Sequence, residues 1–172
     1  MTMAVGAALG GTYDEFVEAY GDGQGHDPTA LLEEAFRNTD PVARVAIANR
    51  LLDDGADAAF VSDGYNALSL LFGQLEHLPQ EEAALIRRLI EGGLDVNFRS
   101  RRGERPIQQL TLISHPDADA VPMYDALLEA KDLDLDFDVS KDGSGKSFRE
   151  WLLEGPVRRK CPLLKERVRA MG

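Results

Sequence analysis

Cysteine is almost missing from this 172-residue chain. The single residue, Cys161, has no second cysteine to pair with inside the chain, and it suits a reducing compartment such as the cytoplasm. Histidine is scarce as well. His26, His77 and His115 lie far apart in turns. None has a second ligand at metal spacing on one helix face, so no zinc site and no metal or other cofactor is expected. Long hydrophobic runs are lacking: no stretch approaches the roughly 20 apolar residues of a membrane span. The start, Met1 to Gly11, is small and apolar but has no Lys or Arg before it, which argues against a secretory signal. It reads as a frayed or weakly helical start. Basic residues are in deficit, with 19 Lys and Arg against 30 Asp and Glu, a net charge of −11 and a pI of about 4.7. Such a surface repels nucleic acid and anionic membranes, so neither is expected as a partner.

Catalytic signatures are missing too. Gly143-Ser144-Gly145-Lys146-Ser147 superficially resembles a phosphate loop, but that loop needs a glycine where Ser140 stands. Asp132, Asp134, Asp136 and Asp138 alternate like calcium ligands. Counted from Asp132, however, the loop's obligatory glycine and glutamate fall on Phe137 and Gly143. The alternation instead points Leu133, Leu135 and Phe137 inward and the aspartates to water. No Gly-x-Ser-x-Gly, metalloprotease or dinucleotide motif is present, and no catalytic residue is assigned. A small-ligand site or an enzyme of unknown class is the alternative reading. Its candidates are the His115 to Asp119 loop and the Asp132 to Asp138 run.

What the chain does have is 44% hydrophobic residues arranged in helical periods. Thr12 to Tyr20 reads as a short amphipathic helix, with Thr12 and Glu15 set for a capping box. Asp27-Pro28 and Asp40-Pro41 each combine an N-cap with a proline at the first helical position. Helices are expected to follow from both, then over Gly64 to Leu75, Gln80 to Glu91, Arg105 to Ile113, Pro122 to Ala130, Ser147 to Leu153 and Pro162 to Ala170. Leu51, Leu89 and Leu127 are 38 residues apart. A fixed period of this size points to stacked helical repeats. Charge is polarised along the chain. Eleven acids face three arginines from Met1 to Asp57, and six Lys or Arg face Glu166 alone from Pro156 to Gly172.

The stretch from Leu85 to Leu110 resembles an ankyrin repeat. Leu89, Ile90, Gly93, Leu94, Asp95, Val96 and Asn97 match the first half of the family pattern. Gly103, Pro106 and Ile107 match the second half in register, with Arg105, Gln108 and Ser100 as departures. An upstream copy keeps Gly55-Ala56-Asp57, Gly64 and Leu68. A downstream copy keeps Leu127-Leu128, Asp142, Gly145 and Ser147 but has no Gly-Ala-Asp and an inserted residue or two. The resemblance implies an all-α fold: an ankyrin-like solenoid of about three helix pairs plus terminal capping helices. Residues 1–27 would be an N-terminal tail and capping helix. Residues 28–172 would be the repeat domain with its C-terminal cap.

The resemblance also implies a function class. Ankyrin-like repeats bind other proteins through finger loops and the exposed faces of their first helices. Here the fingers would present Asp63, Tyr65, Arg99, Arg101, Arg102, Glu104 and Lys141. Arginine and tyrosine are enriched at binding hot spots. The expected role is therefore a non-enzymatic protein-binding module acting as a monomer. Small acidic bacterial proteins of this kind resemble immunity proteins, whose acidity would suit a basic toxin as partner.

Overall fold

In a computed structural model of the protein, residues 2–139, 145–155 and 161–172 are described. They are mostly helical and run α1 Met3–Gly10, α2 Tyr13–Tyr20, α3 Pro28–Arg37, α4 Pro41–Asp53, the short strands β1 Val61–Ser62 and β2 Tyr65–Asn66, then α5 Ala67–Leu71, α6 Pro79–Glu91, α7 Pro106–Leu110, α8 Asp117–Leu128, α9 Phe148–Glu154 and α10 Pro162–Ala170. No described helix is long and apolar enough to cross a membrane.

The helices pack as two ladders. α2, α4, α6, α8 and α10 touch in succession, and α1, α3, α5 and α7 do the same beside them. One hydrophobic cluster runs through both, from Ala4 in α1 to Val168 in α10. Leu51, Leu89 and Leu127 are each fully buried in it. The repeat is visible in detail. Asp57 accepts a hydrogen bond from the Ala59 N–H, and Asp95 accepts one from the Asn97 N–H, 38 residues on. Asp134 does the same for the Asp136 N–H. The third copy therefore has this turn after all, displaced by one inserted residue and hidden by the loss of its glycine. Gly93, at φ 97°, ends α6 in a conformation that a side chain would strain.

The predicted starts hold where a cap fixes them. Thr12 and Glu15 form the reciprocal box that begins α2, and Ser147 and Glu150 form another before α9. Asp27 and Asp40 cap α3 and α4, each with proline following. Three expectations need narrowing or correction. Of the frayed or weakly helical start expected, the helical alternative holds from Met3: α1 is a formed helix that buries Ala4 and Ala8 against α3. Asn38 holds its end, donating to the carbonyls of Ala8 and Gly11. Second, α5 and α7 are only five residues long, and Leu112, inside the expected helix from Arg105 to Ile113, lies beyond the end of α7 and is 51% exposed. Third, α8 begins at Asp117 rather than Pro122, with Pro122 inside its first turns.

The segment before α5 is a hairpin rather than helix. Ser62 pairs with Tyr65 across Asp63 and Gly64, both at positive φ. An Asp-Gly pair in such a two-residue loop is the turn whose twist matches antiparallel strands.

Candidate partner-binding site

The finger turns lie side by side along one edge. The Arg101 N–H donates to the Gly64 carbonyl at 2.8 Å, which joins the second finger to the first. The fit needs glycine there, because a Cβ on Gly64 would stand 2.8 Å from that of Arg101. The Asn66 side chain donates to the Asp95 carbonyl, and Asn97 donates to the Asp132 carbonyl at 2.6 Å. The fingers are thus tied to one another by hydrogen bonds to backbone carbonyls, which leaves their tips free to present side chains.

At those tips Asp63, Arg99, Arg101 and Arg102 are exposed. Tyr65 and Glu104 are half-buried, Tyr65 against the core cluster. Lys141 lies outside the described residues. Arg105 faces inward instead. Its guanidinium sits 4.1 Å over the Phe137 ring and reaches Asp134 at 3.0 Å, binding the second finger to the third.

Pairing separates the arginines. Eight of the described ones form ion pairs: Arg37, Arg44, Arg50, Arg87, Arg88, Arg105, Arg149 and Arg167. Arg87 and Arg88 bridge α6 to Glu129, at the end of α8, and to Asp53 of α4. The Arg87 hydrogen bond holds the Glu129 carboxyl below its usual range. On the basic C-terminal helix, Arg167 pairs with Asp125 of α8. Arg99, Arg101 and Arg102 form no ion pair among the described residues. Arg99 only donates to the Gly103 carbonyl.

The alternative candidates are engaged in structure. Asp117 accepts from the Tyr124 hydroxyl and from the Leu163 N–H, which docks α10. Leu135 and Phe137 are buried while Asp132, Asp134, Asp136 and Asp138 are exposed. Asp134 and Asp136 pair with Arg105 and Arg149. Cys161 is buried, with its thiol directed at the Thr111 carbonyl.

Sequence reasoning missed one polar cluster. Arg44 and Glu82 pair at 2.7 Å with both side chains fully buried. Glu82 also meets His77 Nδ1 at 2.7 Å, and the His77 ring lies 5.6 Å edge-on from His115. Arg44 further donates to the carbonyls of Asn38 and Glu76. Arg44 and Glu82 are 38 residues apart, as are His77 and His115. The period itself was the signal: equivalent positions of neighbouring repeats carry opposite charges.

No family model and no curated protein matches the chain. Among solved structures it is similar to a functionally unknown protein from Leptotrichia buccalis C-1013-b. The two share 20% sequence identity at a TM-score of 0.76, over 98% of this chain and 92% of that one. At that identity the likeness concerns the fold.

Proposed function

We propose that the chain is an ankyrin-like helical repeat protein, without catalytic activity, that binds another protein in the cytoplasm. The contact runs along the finger tips, through Asp63, Tyr65, Arg99, Arg101, Arg102, Glu104 and Lys141, and onto the adjoining helix face. The observation that carries this reading is the pairing of the arginines. Acids outnumber bases by 30 to 19. Cations whose only task was to balance that excess would sit among carboxylates, as eight arginines do. Among the described residues, three on one finger do not. The Arg101 N–H bond to the Gly64 carbonyl anchors this finger to the one before it, and arginine is enriched at binding hot spots. Within this class an immunity protein that neutralises a toxin is the form that the overall acidity supports, since a net charge of −11 steers a basic partner toward it.

The test is charge reversal at the tips. Arg101→Glu together with Arg102→Glu should leave the melting temperature unchanged, because neither side chain forms an ion pair among the described residues. Wild-type protein coupled to a resin should retain one stoichiometric protein from an extract of its own cells, and the double variant should lose it. Retention by both would place the contact elsewhere. For the immunity form, co-expression with the product of the adjacent gene should restore growth, and the double variant should not.

A further inference from the structure

The edge opposite the fingers carries exposed apolar side chains. α4, α6 and α8 each run from a short turn at one end to a finger at the other, and those turns are residues 38–40, 72–78 and 111–116. Buried polar groups hold the three turns side by side. Arg44 donates to the Asn38 carbonyl of the first and the Glu76 carbonyl of the second. The His77 ring of the second packs edge-on against the His115 ring of the third, at 5.6 Å. Six large apolar side chains are exposed among the described residues, and three of them stand on this edge: Val42 at 62%, Leu75 at 77% and Leu112 at 51%. Leu75 and Leu112 belong to the adjoining second and third turns, and Val42 to the first turn of α4. Apolar residues scattered singly need no explanation, whereas grouped ones mark an interaction site.

The charge on this edge has one sign. Neither Lys nor Arg occurs in residues 38–42, 72–81 or 111–119. Of the nearest arginines, Arg37 pairs with Glu33 and Arg44 is buried. Glu76, Glu81 and Asp119 are exposed, and none forms an ion pair among the described residues. Glu81 and Asp119 are 38 residues apart, so the first turns of α6 and α8 repeat the same exposed acid. A helix N-terminus stabilises such a carboxylate without a cation, which leaves it available to one. The same carboxylates repel phosphate backbones and anionic membranes. What fits is a protein segment with apolar side chains on one side and Lys or Arg beside them. A helix with apolar residues at i, i+3, i+4 and i+7 presents that pattern. We propose that this edge docks a cationic amphipathic helix of a partner protein. Its apolar side chains rest on Val42, Leu75 and Leu112, and its cations lie beside Glu76, Glu81 and Asp119. The site is separate from the finger tips and does not depend on them.

Fluorescence anisotropy with a labelled Leu/Lys peptide of about 18 residues, patterned as an amphipathic helix, tests it. The full chain should bind this peptide at low salt with a Kd of about 10 μM. A peptide of the same composition with its order scrambled keeps the charge and loses the apolar face, and should bind at least about tenfold more weakly. Leu75→Ser with Leu112→Ser removes apolar contact, and Glu81→Gln with Asp119→Asn removes charge. Both double variants should keep the wild-type circular dichroism, since all four side chains are exposed. Each should weaken binding at least about tenfold, and the second should also flatten its salt dependence. Arg101→Glu with Arg102→Glu should bind the peptide no more weakly than the wild type, which separates this edge from the finger site. No binding by the wild type, equal binding of the scrambled peptide, wild-type affinity in either edge variant, or loss of binding in the finger variant would each overturn the proposal.

Discussion

At the scale of single residues, Arg44 is the most informative position. Ala43, Ile47 and Ala48 beside it are buried, so this guanidinium enters the core along with them. It is tolerated because it is nearly satisfied: two carbonyls and the Glu82 carboxylate accept from it. Glu82 in turn is held from its other side by His77. A buried pair of this kind adds little over an apolar pair, but breaking it is costly. Arg44→Met should therefore destabilise the protein by about 3–5 kcal/mol, since it leaves Glu82 buried with His77 alone. Adding Glu82→Met to that variant should recover part of the loss, read from urea midpoints. A double variant weaker than the single one would mean that the two residues do not act as a unit. The cluster was not legible in the sequence, because a lone Arg in an amphipathic helix is ordinarily read as surface. Only lining up Arg44 with Glu82 across the 38-residue period marks it.

At the scale of elements, the sequence was readable where chemistry acts locally. A side-chain cap and a proline at the first position decide a helix start within four residues. That is why α2, α3, α4 and α9 began where expected. α5 and α7 were over-read, because a run such as Ala67 to Phe72 is apolar all round and its periodicity gives no end point. In the structure all five residues of α5 are buried. α1 was under-read for the opposite reason. Its composition gives little amphipathic signal, and its stability comes from packing on α3 and from Asn38, both distant in sequence. The finger arginines were legible as a cluster, and the repeat register already set Arg105 apart from them; what the sequence did not show was the Phe137 ring beneath it. Leu51, Leu89 and Leu127 place one buried leucine in each of α4, α6 and α8. Leu89→Asp should unfold the domain, because Leu89 is fully buried between neighbouring helices and a carboxylate there would lose its water without gaining a partner. Circular dichroism and a thermal melt would show it. A folded, cooperative variant would mean that the leucine ladder does not build the core.

At the scale of the whole molecule, the question is how far the ladders act as one. Among the described residues the main contacts of each helix pair are with its neighbours, so stability should be a sum of pair terms and contacts between pairs. Two features oppose independent melting. The core is one continuous cluster, and polar contacts cross between pairs: the buried Arg44 to Glu82 between α4 and α6, and the part-buried Asp117 to Leu163 between α8 and α10. The ends differ in what they lose. The C-terminal pair holds Trp151, the chain's single tryptophan, which packs against Phe148 at 5.6 Å. Its fluorescence therefore reports that end alone, while far-ultraviolet circular dichroism reports every helix. In the wild type the two signals should unfold together, as coupling through the shared core makes partial melting costly. Leu152 is fully buried beneath the same pair. Leu152→Ala should cost about 2–5 kcal/mol locally. The fluorescence transition should then move to lower urea than the circular dichroism transition, as the end pair melts before the rest. If both transitions shift by the same amount, the molecule behaves as a single two-state unit, and the nearest-neighbour description fails at the scale where it matters most.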